Sequence, residues 1–592
     1  MFAKLSNYVR FIGRMRGVLK TMQVVEKKQN ILLTDEVEAT VDTYRDKLAF
    51  LFEDEALTFA EFDARANRVA NWALAQGFLP GDTVALLMEN CTDYLAIWIG
   101  LSKVGVVTAL INNNLEGAGL AHCINIVDTK AIIASGKQAV QAQAVVSQLK
   151  GSPSIWDMDG DAGLDFAAAL DASSDKRPSR EHRAGAKGAD TCIFIFTSGT
   201  TGLPKAARMS HTRLRRMMRV PIPLAQIVPE DVAYNPLPLY HATGGVLGPG
   251  MALMGGATLH ISRKFSASGF WDDVAESDAT VFMYIGELCR YLLNTPEHPK
   301  ERGHRLRAGV GNGLRPDVWA DFIERFQVTS MREFYSSTEG NVAFVNMDGT
   351  VGSVGQMPRF MDGTMGVAFV KFDVEAEAPI RNKKGFCIKC DANEVGEVLG
   401  EIKGTGRSSF EGYEDKAATE KKILTDVFKK GDRWFRTGDL MSRDEYGYVQ
   451  FVDRIGDTFR WKGENVATNE VADVISKFAG VELANVYGVQ VPHTDGRAGM
   501  AAITAEQPLD YKALAEHLLA NLPAYAVPIF LRETQEADTT GTFKFRKVDA
   551  VKEGFDLTRV SDPIWILDAK QSAYTPLTET KHQAIISGEV RL

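Results

Sequence analysis

At 592 residues and 45% hydrophobic, the chain carries enough apolar material for a large core and too much length for one domain, which excludes a disordered or fibrous protein. A formal net charge of −9 excludes a chain-wide phosphate-binding surface, so no nucleic-acid partner is expected and any basic contact must be local. The six cysteines, at 91, 123, 192, 289, 387 and 390, form no disulfide framework and fit a reducing cytoplasm; Cys387 and Cys390 are a lone CxxC without further metal ligands.

Residues 1–30 read as a basic amphipathic segment. Lys4, Arg10, Arg14, Arg16, Lys20, Lys27 and Lys28 face one acid, Glu26, while Phe2, Leu5, Val9, Phe11, Ile12 and Val18 supply apolar surface. Such a segment either makes a peripheral contact with an anionic membrane or packs on its own domain with a solvated basic face. The arginines also interrupt any signal-peptide core. The apolar stretch Tyr94 to Ile111 is broken by Ser102, Lys103 and Thr108, so it predicts a buried helix ending near Lys103 and then a core strand, not a membrane span. Residues 171–190, rich in Ser, Asp, Lys, Arg and Gly, predict a surface connection.

The apolar strand Cys192 to Phe196 leads into Thr197-Ser198-Gly199-Thr200-Thr201-Gly202-Leu203-Pro204-Lys205. Hydroxyls, glycines that let backbone N–H groups approach, and a lysine together describe a phosphate cradle. Lys205 is followed by Ala206, so this is no Walker A loop. A flexible Ser/Thr/Gly surface loop is the bland alternative. Farther on, Thr280 to Tyr284, Glu287 to Asn294, Leu306 to Val310, Asp317 to Phe326 and Met331 to Tyr335 alternate as βαβαβ, predicting a parallel sheet covered by helices, with Asp317 behind Pro316 as an N-cap. The last strand runs into Ser336-Ser337-Thr338-Glu339, and polar groups beyond the carboxyl end of such strands are where ligands bind.

The run from Thr197 to Lys205 is similar to the signature of the adenylate-forming superfamily, which includes acyl-CoA synthetases, firefly-luciferase-type enzymes and peptide-synthetase adenylation domains. Tyr335-Ser336-Ser337-Thr338-Glu339 resembles its aromatic-x-x-Thr-Glu motif, Thr437-Gly438-Asp439 its Thr-Gly-Asp motif, and Asp453-Arg454 the start of its hinge. The motifs stand in the family's order, and the likeness runs from about Thr58 to the C-terminus. It implies a large N-terminal α/β domain, residues 1–453, with parallel and mixed sheets covered by helices, that binds AMP and the acyl group. It implies in addition a small mobile α+β domain, residues 454–592, with a catalytic lysine.

The resemblance also implies the ligands. ATP would meet Thr197, Ser198, Gly199, Thr200, Thr201, Gly202 and Lys205 through its phosphates. Gly311, Asn312, Tyr335 and Ser336 would surround the adenine, with Tyr335 stacking on it. Asp439 would accept from the ribose hydroxyls, Arg454 would stand at the hinge, and Glu339 beside Thr338 would hold Mg²⁺. In Thr540-Gly541-Thr542-Phe543-Lys544-Phe545-Arg546-Lys547, Lys544 matches the family's catalytic lysine. Phe543 stands where the family has Gly, which leaves Lys547 as the alternative. His241 resembles the aromatic or histidine at the mouth of the acyl pocket. After rotation about Gly456 or Asp457, the face around Gly463 would replace Lys544 and admit coenzyme A.

Phe334 to Asn341, Asp453 to Val466, Tyr487 to Gly499 and the tail from Asp562 resemble the fatty-acid-transport-protein and very-long-chain acyl-CoA synthetase branch. That implies a long or very long fatty acid as substrate. Alternatives are a bile-acid or sterol carboxylate, a carrier-protein thiol as acceptor, and fatty-acid uptake coupled to acylation at the inner face of the plasma membrane. Oligomeric state is left open by the sequence.

Overall fold

The computed structural model describes residues 2–27, 30–199, 202–374, 376–403, 410–462, 464–494, 496–505, 507–535, 547–568, 571–590 and 592. The chain forms two compact units. The first comprises Met1–Gly366, Gly400–Leu424 and Tyr446–Val449, the second Val367–Leu399, Thr425–Glu445 and Gln450–Leu592.

The first unit holds an eight-stranded and a seven-stranded sheet. In the eight-stranded sheet Val281–Ile285, Ala308–Asn312 and Ser330–Ser336 are parallel neighbours, and Ala343–Val345 closes the edge antiparallel. Val281, Phe282, Met283 and Tyr284 are all buried, as a parallel strand covered on both faces requires. The intervening helices are Gly286–Asn294 and Pro316–Phe326, so the expected βαβαβ segment is present with ends shifted by one or two residues. The cap differs: Arg315, with extended backbone, takes the N-cap position in place of Asp317. Pro316 fills the first helical position, where its fixed φ and missing N–H cost nothing. Asp317 then lies in the first turn at the positive end of the helix, 3.0 Å from Arg315.

In the seven-stranded sheet Thr83–Leu87 lies between Thr129–Ala134 and Val107–Leu110, followed by Thr191–Gly199 and Gly202–Ser210. The stretch Tyr94 to Ile111 resolves as helix Thr92–Lys103 and strand Val107–Leu110. Lys103 is fully buried because Asp63, at 2.6 Å, and the Asn67 amide oxygen, at 2.7 Å, accept from its ammonium. Residues 171–190 are more than a surface connection. Arg183 within them is buried and reaches Asp35 at 3.1 Å and the carbonyl of Lys103 at 3.0 Å.

The N-terminal helix Phe2–Lys27 packs Phe11, Met15 and Val18 against Val345, Met347 and Met361, and Arg14 pairs with Asp348 at 2.5 Å. Arg10, Ile12, Arg16 and Lys20 stay exposed. Among the described residues no helix is long and apolar enough to cross a membrane.

The second unit has its own core, with Val486, Tyr487, Met500, Leu514, Phe530 and Ile566 among its buried members. Helices Thr468–Ser476 and Tyr511–Asn521 accompany a five-stranded sheet built from Val481–Gln490, Arg497–Ala505, Phe530–Glu533, Ile564–Asp568 and Ala573–Pro576.

Candidate active site

The glycine- and hydroxyl-rich run turns back as a β-hairpin. Thr191–Gly199 pairs antiparallel with Gly202–Ser210, setting Thr197 opposite Lys205 and Gly199 opposite Gly202. Ser198 belongs to the first strand; Thr200 and Thr201, at the turn, lie outside the described residues. Lys205 is therefore a strand residue, and its ammonium sits 5.4 Å from the centroid of the Tyr413 ring.

At the carboxyl end of Ser330–Ser336, Tyr335 stacks on its cross-strand partner Phe344, with ring centroids 5.7 Å apart. Ser336 is exposed and Thr338 half-buried. Glu339 is buried, and its Oε1 accepts from the Tyr413 hydroxyl at 2.7 Å. The loop around it is clamped from helix His211–Arg219. One Arg213 nitrogen donates to the carbonyls of Ser337, Thr338 and Gly340 at 3.1, 2.6 and 2.6 Å, taking up oxygens that the end of a strand leaves open.

Beside this loop Glu333 holds the turn after Ala308–Asn312. It accepts from the backbone N–H of Gly313 at 2.9 Å, that of Leu314 at 3.1 Å and the Tyr284 hydroxyl at 2.9 Å. Burial pushes the Glu333 carboxyl up to about 8, opposed by those three donors. Gly311 has to be glycine, since a Cβ there would lie 2.2 Å from the Tyr284 carbonyl oxygen. The Thr243 hydroxyl donates to Asn312 at 3.3 Å and so links this turn to the segment that carries His241. His241 is half-buried with its ring 4.4 Å from that of Tyr240, and its carbonyl accepts from Gly245 at 2.6 Å as the chain enters the π-helical turn Thr243–Leu247. Such turns gather at functional sites.

In the second unit, Asp439 is buried and accepts from Arg454 Nε at 3.2 Å, while the Arg454 side chain is 47% exposed. Gly438, at φ +77°, gives the Thr-Gly-Asp strand its kink, and its carbonyl accepts from Ile455 at 2.9 Å. Asp453 accepts from the Thr468 N–H at 2.7 Å and from Asn469 at 3.0 Å. Burial raises its carboxyl above the ordinary range, against the pull of the Lys547 ammonium. Lys547 donates to the Thr468 hydroxyl at 2.8 Å and pairs with Asp457 at 3.3 Å. Gly456 has φ +92° and open space around it. Gly463 and Lys544 lie outside the described residues.

A family model for AMP-binding enzymes matches residues 37–413. The chain belongs to the AMP-binding enzyme family. Within it, the chain is 41% identical over 553 residues to long-chain fatty acid transport protein 6 of Mus musculus, covering 92% of this chain and 89% of that one. It is 43% identical over 546 residues to long-chain fatty acid transport protein 1 of Homo sapiens, covering 91% and 84%. The fold is that of adenylate-forming enzymes. The anthranilate CoA ligase AuaEII in complex with anthranoyl-AMP superposes with a TM-score of 0.75 at 19% identity, covering 88% of this chain and 97% of that one. ATP-bound MatB of Rhodopseudomonas palustris gives 0.74 at 23% identity, covering 89% and 99%. The fatty acyl CoA synthetase of Mycobacterium tuberculosis gives 0.62 at 21%, covering 89% and 99%.

For this AMP-binding enzyme, reading the sequence missed the residues that hold the motifs in place: Arg213, Glu333 and Tyr413. Glu333 had one visible sign, an acid beside Arg332 in a strand whose other inner positions, Met331, Phe334 and Tyr335, are hydrophobic. The others are distant in sequence from what they hold and carried none. Among the described residues no three His, Cys, Asp or Glu side chains cluster as a metal cage. A single buried carboxylate, that of Glu339, fits Mg²⁺, which takes one or two carboxylates and completes its shell with phosphate oxygens and water. The thiols of Cys123 and Cys192 are buried and pushed up to about 12, so neither is activated as a nucleophile.

Proposed function

We propose that the chain is an AMP-forming ligase that joins a long or very long fatty acid to coenzyme A through an acyl-adenylate. The observation that carries this is the pairing, in one unit, of the hairpin lysine Lys205 with the strand-end carboxylate Glu339 through a single tyrosine. The long-chain fatty acid transport proteins, similar along nine-tenths of the chain, support the substrate class.

One carboxylate oxygen of the acid attacks the α-phosphorus of ATP, and the bond to the bridging oxygen of pyrophosphate breaks. The acid is already ionised at neutral pH, so no general base is needed. Lys205, with Thr197, Ser198, Gly199, Thr200, Thr201 and Gly202, binds the phosphates. Gly311, Asn312, Tyr335 and Ser336 seat the adenine, and Asp439 the ribose. Glu339, with Thr338 beside it, would hold Mg²⁺, whose charge offsets that of the phosphates when it is bound. Lys544 stabilises the charge that builds on the α-phosphoryl group. Lys547 is the weaker candidate, because its ammonium is already engaged by Thr468 and Asp457.

The CoA thiol then attacks the acyl carbon and AMP leaves. We read residues 1–453 as the domain that binds nucleotide and acid, and residues 454–592 as the part that moves between the two half-reactions, pivoting near Arg454 to Asp457 and bringing up Gly463. His241 is read as the gate of the acyl pocket. The exposed Arg10, Arg16 and Lys20 support a peripheral contact with an anionic, cytoplasm-facing leaflet, each such charge contributing about 1 kcal/mol near the surface.

The test supplies purified protein with ATP, Mg²⁺, CoA and acids running from short to very long fatty acids and on to a bile acid. AMP, pyrophosphate and acyl-CoA should appear in equal amounts, with turnover greatest for the long chains. ADP as product would refute the reaction, and preference for the bile acid would refute the substrate class.

A further inference from the structure

We propose that Tyr413 is a positioning residue for the metal and phosphate groups, one that fixes the Glu339 carboxylate and the Lys205 ammonium relative to each other. The proposal rests on the ligase reading above. Tyr413 is buried, its hydroxyl donates to Glu339 Oε1 at 2.7 Å, and the Lys205 ammonium lies 5.4 Å from its ring centroid.

The tyrosine is itself held on the hairpin. Ala207 and Tyr413 form a β-bridge, Arg208 N–H donates to the Gly412 carbonyl at 3.2 Å, and Glu414 N–H donates to that of Ala206 at 2.9 Å. Next to it, the Glu411 carboxylate accepts from the Ser210 N–H at 2.8 Å and the Ser210 hydroxyl at 2.6 Å. Gly412 lies between Glu411 and Tyr413 at φ +68°, where a Cβ would meet Thr419 at 2.6 Å.

Each contact does something a different side chain would not. A phenol donating to one carboxylate oxygen orients the other, and Mg²⁺ tolerates little error in the direction of its ligands. An aromatic face attracts an ammonium without cancelling its charge, so Lys205 keeps that charge for phosphate. A carboxylate in place of the ring would neutralise it.

The test is calorimetric titration of ATP into the full-length protein at graded Mg²⁺, without fatty acid or CoA. In Tyr413→Phe, which keeps the ring, the Mg²⁺ concentration giving half-maximal ATP affinity should rise about tenfold, the lower end of what removing a partner of a metal ligand costs. Affinity without divalent cation and the KM for fatty acid should stay as in the native chain. In a Glu339→Gln background the same change should add nothing. An unaltered Mg²⁺ requirement, or equal weakening with and without Mg²⁺, would overturn the proposal. Should Tyr413→Phe not fold, Glu411→Gln loosens the same segment with the hydroxyl in place, and an unaltered Mg²⁺ requirement there would overturn it too. Absence of Mg²⁺-dependent ATP binding by the native chain would instead refute the ligase reading.

Discussion

The end of strand Ser330–Ser336 in the first unit and the segments Thr437 to Asp439 and Asp453 to Asp457 in the second each present acidic groups next to a glycine, but they are held differently. In the first, Glu333 accepts from three internal donors, Glu339 from Tyr413, and the intervening carbonyls from Arg213. In the second, buried Asp439 meets Arg454, whose side chain is half in solvent, and Gly456 follows in open space. Groups built to meet developing charge gain from being fixed beforehand, because no reorganisation is then needed during the reaction. Under the proposed pivot near Arg454 to Asp457, groups beside it need partners they can leave. The contrast therefore separates a preset cluster in the first unit from an adjustable one in the second.

The contrast breaks most visibly at Glu339. Glu339→Gln should slow acyl-adenylate formation about 10²- to 10³-fold, read as the pre-steady-state release of pyrophosphate, while the thermal midpoint stays close to native. Near-native pyrophosphate release would mean that the preset part is not the reacting part. Asp439→Asn removes a charge-assisted hydrogen bond and should raise the KM for ATP about tenfold, with little change in the KM for fatty acid.

Glu333→Gln should act through the turn it holds, raising the KM for ATP a few-fold (~1 kcal/mol). It should also change the pH dependence of stability. A carboxyl raised to about 8 in the folded chain binds more protons there than when unfolded, so its contribution is full below the ordinary carboxyl range and is lost as pH rises toward 8. Thermal midpoints between pH 5 and 8 should therefore fall less steeply in the variant. Arg454→Ala should have the smallest effect. A pair whose cation stands half in solvent contributes about 1 kcal/mol, so ATP affinity should weaken no more than a few-fold, and less at high salt.

The sequence made the parallel sheet and the chemical motifs legible because both are local. Alternating apolar runs define the strands around Val281, Ala308 and Ser330, and the run from Thr197 to Lys205 contains its own hydroxyls, glycines and lysine. It did not show that this run is a hairpin, since the antiparallel return of Gly202–Ser210 depends on strand pairing and not on composition. The cap at Arg315 was misplaced because Pro-Asp admits either register until the backbone fixes one. The stretch 171–190 reads as a surface connection for want of any sign that Asp35 and Lys103 lie beside Arg183. Arg213 and Tyr413 were silent for the same reason: each acts on Ser337 to Gly340 across more than seventy residues of chain.

The most direct test of the central claim follows the oxygen atoms. Fatty acid labelled with ¹⁸O in both carboxylate positions is converted with ATP and CoA, and the phosphorus products are analysed by mass spectrometry. One ¹⁸O per turnover should appear in AMP, carried across in the acyl-adenylate when the thiol takes the acyl carbon. Label in inorganic phosphate or pyrophosphate, with none in AMP, would contradict the account.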